Sequence, residues 1–102
     1  VLAKQITNGL KSIKDTSNII IAYEPVWSIG TGLIPKSDDL LNSISFIKNK
    51  FLKKTPKVLY GGSVNAKNIA QLKDISVIDG FLIGGASQSS KKFIDIIKKT
   101  FN

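Results

Sequence analysis

The segment at residues 22–32 reads AYEPVWSIGTG and joins the end of a strand pattern to a glycine-rich loop. The run at 18–23 that leads into it has the length and β-branching of a buried strand, which we predict at about residues 19–23. Glu24, the only glutamate of the chain, follows directly, and Pro25 ends the strand because proline has no N–H for a ladder hydrogen bond. A carboxylate at the carboxyl end of a buried strand, followed by a loop, is a common layout of active sites on parallel sheets.

The same segment has a simpler interpretation, which the residues alone leave open. Lone acidic side chains are usually exposed, so Glu24 can be a solvated loop residue and Trp27 a surface cover for the core. Two more glycine-rich loops follow, LYGGSV at 59–64 and GFLIGGAS at 80–87. Glycine pairs after a strand can expose backbone N–H groups to an anion such as phosphate, or can simply form tight turns.

The rest of the sequence alternates helix and strand patterns. Helices are predicted at residues 1–14, 35–53, 65–73 and from Ser89 or Ser90 to the end, further strands at 58–60 and 81–83, and a polar turn at 15–18. This alternation indicates an α/β fold with a parallel sheet. Three strand–loop–helix units are too few to close an eight-stranded barrel, so we expect part of a barrel, with a free-standing three-stranded domain as the alternative.

Polar residues and apolar stripes predict where these helices begin, end and pack. Ser37 and Asn65 are predicted N-caps, and Thr55 before Pro56 stops the second helix. The predicted inward-facing residues are Leu40, Ile44, Ile47 and Phe51 in the second helix, and Phe93, Ile94, Ile97 and Phe101 in the last.

Composition and charge narrow the function further. The 102 residues fit one small domain and carry a net charge of +8, with fifteen lysines and no arginine. The lysines are spread out, no aromatic residues alternate with them as stacking platforms, and arginine, the commonest reader of guanine, is missing. We therefore expect no nucleic-acid partner and ascribe the charge to solubility.

The sequence also lacks the residues that several other kinds of site require. Without cysteine or histidine, disulfides and thiolate chemistry are excluded and we expect no zinc or other soft-metal site. No apolar run approaches the roughly 20 residues that span a bilayer. We expect no membrane partner, no cofactor and a cytoplasmic location.

Three segments taken together resemble the triosephosphate isomerase family: residues 23–32, 59–64 and 80–87, in the family's order. They cover essentially the whole chain. The resemblance implies the C-terminal portion of a TIM (β/α)₈ barrel, with parallel strands six to eight and their helices, and makes residues 1–102 part of one domain. Since the family barrel has roughly 250 residues, the chain is expected to be a C-terminal piece whose N-terminal strands are missing.

The resemblance also assigns roles to individual residues. It makes Glu24 the catalytic base and residues 25–34 a closing lid, which Tyr60 and Ser63 latch. It makes the predicted substrate-binding residues phosphate contacts: Gly30, Ser63, Gly84 and Gly85. The chain departs from the family pattern at Ser28, where alanine is usual, and at 33–36, where the second hinge commonly begins with lysine. Taken alone, Tyr60 can equally be a core aromatic with a satisfied hydroxyl.

The implied activity is the interconversion of dihydroxyacetone phosphate and D-glyceraldehyde 3-phosphate, in glycolysis and gluconeogenesis. The family's electrophilic histidine and its charge-stabilising lysine come from earlier strands, so we expect this chain to be inactive alone. The intact protein is expected to be a homodimer, or to be completed by a separate N-terminal chain if the gene is split. The alternative is a non-catalytic phosphate-binding remnant or split-gene product. Another phosphate-binding barrel with similar glycine loops is disfavoured, since those relatives lack the segment at 24–32.

Overall fold

Helices and strands alternate along the chain as predicted. The computed structural model describes residues 1–13, 18–51 and 55–101. Within these ranges the elements are α1 (Leu2–Gly9), β1 (Ile20–Tyr23), α2 (Ser37–Lys48), β2 (Lys57–Tyr60), α3 (Ile69–Lys73), β3 (Gly80–Phe81) and α4 (Ser90–Thr100). Short 3₁₀ turns at Val26–Ser28 and Gly85–Gln88 follow β1 and β3. Residues 15–17 of the predicted polar turn lie outside the described residues, and α2 ends at Lys48, earlier than its predicted end at 53.

The three strands form one parallel sheet in the order β1-β2-β3, which confirms the predicted parallel α/β class. The register pairs Tyr23 with Tyr60 and Tyr60 with Phe81, so the carboxyl ends of the strands lie side by side. β3 has two residues instead of the predicted three, at 80–81. The Leu82 N–H, directly after β3, donates a 3.0 Å hydrogen bond to the Tyr60 carbonyl and so completes the pairing of Phe81 with Tyr60.

The core lies between the sheet and the helices that cover it. Its buried apolar residues are Leu40, Ile44, Ile47, Val58, Tyr60, Val64, Ile69, Leu72, Ile75 and Ile96. The predicted stripe of α2 is confirmed at its first three positions, while Phe51 is half-buried. Each fully buried side chain of this size stabilises the fold by about 1.5–3 kcal/mol.

β1 is less buried than its sequence predicted. Ile20 is 65% exposed, Ile21 and Tyr23 are half-buried, and Ala22 is exposed. The physical reason is its place at the edge of the sheet, where β2 is its one strand neighbour among the described residues. An apolar cleft of about 830 Å³ lies between α1 and this unpaired side of β1, and it is bordered also by Glu24 and by Trp27.

The predicted inward face of α4 is wrong. Ile96 is the buried residue of this helix, at 1% exposure, whereas the four predicted positions are all at least 36% exposed. The helix contacts mainly α3 and the Gly85–Gln88 turn, and Ile96 belongs to the same buried cluster as Ile69 and Leu72 of α3. The apolar residues of α4 form too wide a stripe for a single neighbour to cover, so most of them stay in contact with solvent.

The predicted helix caps have mixed outcomes. Ser37 is the first residue of α2 and not its cap; its hydroxyl accepts a 3.1 Å hydrogen bond from the Gln71 amide. Asn65 accepts from the N–H groups of Lys67 and Asn68 and so caps the turn before α3, which begins only at residue 69. Ser89 caps α4 as predicted, accepting from the Lys92 N–H at 3.4 Å.

Asp79 joins α2, β2 and β3 at the amino end of the sheet. Its carboxylate accepts a 2.9 Å hydrogen bond from the Val58 N–H and forms a 2.9 Å ion pair with Lys48. Burial raises the pKa of the Asp79 carboxyl, but the Val58 hydrogen bond and the positive charges of Lys48 and Lys57 outweigh it, so this pKa lies below its ordinary value. This end of the sheet is therefore held by a charged contact as well as by packing.

In the described ranges, none of the helices has both the length and the apolar character that crossing a membrane requires.

Candidate functional site

The residues that follow the three strands lie next to each other at the carboxyl edge of the sheet. The Gly61 N–H donates a 2.9 Å hydrogen bond to the Tyr23 carbonyl, which completes the last pair of β1 and β2 and brings Gly61 beside the end of β1. A Cβ placed on Gly61 would lie 2.9 Å from Oε1 of Glu24 and 3.1 Å from Cβ of Leu82. Glu24, Gly61 and Leu82 therefore meet at one point, which is the arrangement expected for parallel strands.

The Glu24 carboxylate lies beside Gly61, where a side chain on that residue would otherwise be. No hydrogen bond or ion pair to this carboxylate occurs in the part of the chain that the structure describes, and Glu24 is exposed. Its oxygen atoms are thus free to accept a proton or a hydrogen bond from a small molecule at this edge. The absence of a side chain at Gly61 leaves the space that the carboxylate occupies.

The candidate lid, residues 25–34, begins with a rigid turn and continues through two glycines. The Ser28 N–H donates to the Pro25 carbonyl at 2.9 Å, which closes the 3₁₀ turn. Gly30 and Gly32 have φ of 71° and 77°, in the left-handed region that side chains disfavour, so the loop requires glycine at both positions. Trp27 and Ile29 are about half exposed, at 55% and 53%.

Ser63 binds the candidate lid through both functions of its hydroxyl group. The hydroxyl donates a 2.5 Å hydrogen bond to the Ser28 carbonyl and accepts a 2.8 Å hydrogen bond from the Gly32 N–H. Asn68 in turn donates to the Ser63 carbonyl and holds this loop in place. The lid is therefore in contact with the loop after β2, and the Ser63 side chain belongs to that contact.

Ser28 is the second attachment point of the candidate lid. Its side chain is fully buried and its hydroxyl donates a 2.5 Å hydrogen bond to the Leu33 carbonyl, across the lid. The Tyr60 hydroxyl lies 3.0 Å from Ser28 Oγ. Burial raises the pKa of the Tyr60 hydroxyl above its ordinary value, Ser28 lowers it in part, and the neighbouring Tyr23 adds to the rise. The sequence predicted no role for Ser28. The feature that could have indicated one is its hydroxyl group, at a position where the family pattern has alanine.

The glycine pair at 61–62 allows close contacts, which the sequence did not predict. A Cβ on Gly62 would collide with the Tyr60 hydroxyl and would lie 2.6 Å from Ser28 Oγ. A side chain at Gly62 would therefore displace the contact between Tyr60 and Ser28. Both glycines leave room for side chains that approach from β1, from the lid and from β2.

The remaining predicted phosphate contacts border open space. A Cβ added to Gly30, Gly84 or Gly85 would meet nothing within 4 Å. Among the described residues, no group accepts a hydrogen bond from the N–H of these three glycines. Ser87 closes the turn after β3 by donating its N–H to the Gly84 carbonyl at 2.9 Å. No hydrogen bond within the described ranges joins Gly30 to Gly84 or Gly85, so their common role stays a prediction.

These features define the class of protein: a parallel α/β chain with a carboxylate that is unpaired among the described residues, an attached loop and glycine-rich turns at the carboxyl ends of its strands, the end at which barrels of this class carry their active sites. The family model of triosephosphate isomerase matches residues 1–100. The chain belongs to the triosephosphate isomerase family. The expected partial (β/α)₈ barrel is thereby confirmed.

Curated relatives agree with this assignment. Triosephosphate isomerase of Yarrowia lipolytica is 47% identical over 103 residues, which cover 95% of this chain and 41% of the relative. Triosephosphate isomerase of Candida albicans is 44% identical, and the match covers 96% of this chain and 42% of the relative. Triosephosphate isomerase of Mycoplasma mobile is 45% identical, and the match covers 96% of this chain and 40% of the relative. The chain thus spans about 41% of the length of the relatives it matches.

Proposed function

We propose that the complete protein containing this chain is a triosephosphate isomerase, which interconverts dihydroxyacetone phosphate and D-glyceraldehyde 3-phosphate. The observation that carries the proposal is the Glu24 carboxylate, unpartnered among the described residues and held against Gly61 at the carboxyl end of β1. The names of the curated relatives support the same activity. Glycolysis and gluconeogenesis, in the cytoplasm, are the corresponding metabolic setting.

Glu24 is the general base of the proposed reaction. The isomerisation moves one proton between the two neighbouring carbon atoms of the triose, and a carboxylate beside them can take the proton from one carbon and return it to the other. The family is known for a glutamate base under a closing loop. Because the chain belongs to this family, we assign that role to Glu24. Because Glu24 has no hydrogen-bond or ion-pair partner among the described residues, its oxygens are available for this transfer.

The phosphate group of the substrate is held by backbone N–H groups in this proposal. The donors are those of Gly30 in the lid, Ser63 after β2, and Gly84 and Gly85 after β3. Among the described residues the N–H groups of the three glycines donate no hydrogen bond, and a Cβ added at each would meet nothing within 4 Å, which leaves room for a bound anion. The Ser63 hydroxyl is bound to the lid, but its backbone N–H has only a long 3.5 Å hydrogen bond to Ser28 Oγ, which a phosphate oxygen can replace.

The chain supplies only part of the catalytic groups. It contains no histidine, so the family's electrophilic histidine has to be supplied from outside residues 1–102, and the resemblance to the family places its lysine there too. Preorganised charge stabilisation usually contributes more to the rate of an enzyme than any other single effect. We therefore propose that residues 1–102 are part of one barrel domain and are inactive alone, and that the complete protein is a homodimer or is completed by a second chain.

The absence of histidine also favours one alternative, a non-catalytic phosphate-binding remnant of the family. Turnover of dihydroxyacetone phosphate by the complete protein, compared with its Glu24→Gln variant, separates the two. The isomerase proposal predicts a loss of kcat on the order of 10³-fold in the variant, within the usual range for a positioned base. Binding of inorganic phosphate should be nearly unchanged. A complete protein that binds phosphate without turnover would instead be the remnant.

A further inference from the structure

Among the described residues, Ser28 has the one polar side chain that is fully buried, and it lies in the candidate lid. Its hydroxyl makes contacts in two directions. Within the lid it donates to the Leu33 carbonyl, five residues further on, at 2.5 Å. Outside the lid it contacts the Tyr60 hydroxyl at 3.0 Å, at the end of β2, and more distantly the Ser63 N–H at 3.5 Å.

The directions of these hydrogen bonds follow from the number of protons present. A serine hydroxyl has one proton and two acceptor positions. Since the Ser28 proton is directed to the Leu33 carbonyl, the Tyr60 hydroxyl is the donor to Ser28 Oγ. Ser28 therefore closes the lid on itself, and the shorter of the two hydrogen bonds that it accepts fixes it to the tyrosine.

The far end of the lid offers few other attachment points. Pro35 is buried and has no N–H to donate. The Leu33 N–H is bound within the lid, to Oγ1 of Thr31 at 3.1 Å. Beside the Gly32 N–H, which donates to Ser63, the Leu33 carbonyl is the described backbone group that holds this end, and Ser28 is its partner. Without the Ser28 hydroxyl, both the Leu33 carbonyl and the buried Tyr60 hydroxyl would lose a hydrogen bond.

We propose that Ser28 is a positioning residue that holds the lid closed, through the relay from Tyr60 to Ser28 to Leu33. This inference rests on the proposed function, since it assumes that residues 25–34 open and close over a phosphate-bearing substrate. Ser28 does not contact the substrate; it acts by shifting the balance between open and closed lid. A merely structural role would instead change the stability of the whole fold and leave lid opening unaffected.

Amide hydrogen exchange of the complete protein measures lid opening without any turnover. The Gly32 N–H, which donates to Ser63 at 2.8 Å, is the reporter. Ser28→Ala should increase its exchange rate about tenfold, the equivalent of one lost net hydrogen bond. Ser37→Ala is the matched control, because it removes a serine hydroxyl outside residues 25–34 whose partner, Gln71, also lies outside the lid. Unchanged Gly32 exchange in folded Ser28→Ala would overturn the proposal.

A double-mutant cycle tests the relay itself. Tyr60→Phe removes one hydroxyl with almost no change in shape, so it should fold even if Ser28→Ala does not. It should increase Gly32 exchange several-fold, on the scale of a modest hydrogen bond. If the two hydroxyls act through one another, the double variant should exchange no faster than Ser28→Ala alone. Additive effects, or no effect of Tyr60→Phe, would overturn the relay.

Steady-state kinetics separate this proposal from the proposed function. With a lid that opens more often, Ser28→Ala should weaken inhibition by inorganic phosphate and raise KM about tenfold, while Ser37→Ala changes neither. If the parent protein has no isomerase turnover but Gly32 exchange responds as expected, the proposed function fails and the positioning role of Ser28 is still supported. If turnover depends on Glu24 but Gly32 exchange, KM and phosphate inhibition are unchanged in Ser28→Ala, the proposed role of Ser28 fails while the proposed function is kept.

Discussion

The Glu24 carboxylate occupies the space that a side chain at Gly61 would fill, with its Oε1 atom 2.9 Å from the place where a Cβ on Gly61 would be. The same Cβ would lie 3.0 Å from Cγ of Glu24. The absence of a side chain at Gly61 therefore allows the proposed base to take this position. It does so by leaving space, a role that a hydrogen-bond pattern would not reveal.

Gly61→Ala should displace the Glu24 carboxylate from its position. Misplacing a catalytic group by about 1 Å can cost about 10²-fold in rate, so we expect kcat for dihydroxyacetone phosphate to fall by about that factor. Gly9→Ala is the control, because its added methyl group would meet nothing within 4 Å. A Gly61→Ala enzyme with full kcat would show that the carboxylate position is not critical.

Gly32→Ala should destabilise the lid through its backbone. Gly32 has φ of 77°, and a side chain in the left-handed region costs about 1–2 kcal/mol. We expect faster amide exchange in residues 25–34 and weaker binding of inorganic phosphate, with little change in global unfolding. Gly9→Ala again serves as control, since Gly9 has no positive φ. Normal lid exchange in Gly32→Ala would contradict the described loop conformation.

Asp79→Asn should lower stability in a pH-dependent way. Because the pKa of Asp79 is lower in the folded state than its ordinary value of 3.8, the ionised carboxylate stabilises the fold above that value and loses the effect as pH falls through the folded pKa. We expect a loss of about 1 kcal/mol at pH 7 for this partly exposed pair. The difference from the parent should vanish at acidic pH, in denaturant titrations of the complete protein.

Asp95→Asn is the matched control for this experiment. Asp95 pairs with Lys99 at 3.5 Å on α4, and both side chains are about half exposed. Such a surface pair contributes only about 0.3–0.5 kcal/mol. Equal losses in the two variants at pH 7 would argue against a special role of the contact among Asp79, Val58 and Lys48.

The sequence predicted the features that depend on local pattern. The alternation of helices and strands, the parallel class and the first three inward residues of α2 all follow from apolar spacing and are confirmed. The position of Glu24 after β1 follows from the strand pattern and the proline that ends it. These properties are encoded within short, contiguous segments, which is why spacing alone reveals them.

The features that the sequence did not predict depend on neighbours in space. Ile96, and not Phe93 or Ile97, is buried because the position of α3 selects one side of a wide apolar stripe. Ser37 is occupied by Gln71, a residue 34 positions away. Ser28 meets Tyr60 only because the lid folds over the loop after β2. No spacing rule within one segment carries such information.

Deuterium transfer from solvent to the substrate tests whether Glu24 is the base that moves the proton. A carboxylate that takes a proton from carbon can exchange it with water before returning it, so the complete protein in D₂O should place deuterium on the reacting carbons of the triose phosphate. We predict incorporation by the parent protein that keeps pace with isomerisation, and its loss in Glu24→Gln. Equal incorporation by the parent and the Glu24→Gln variant would contradict the account.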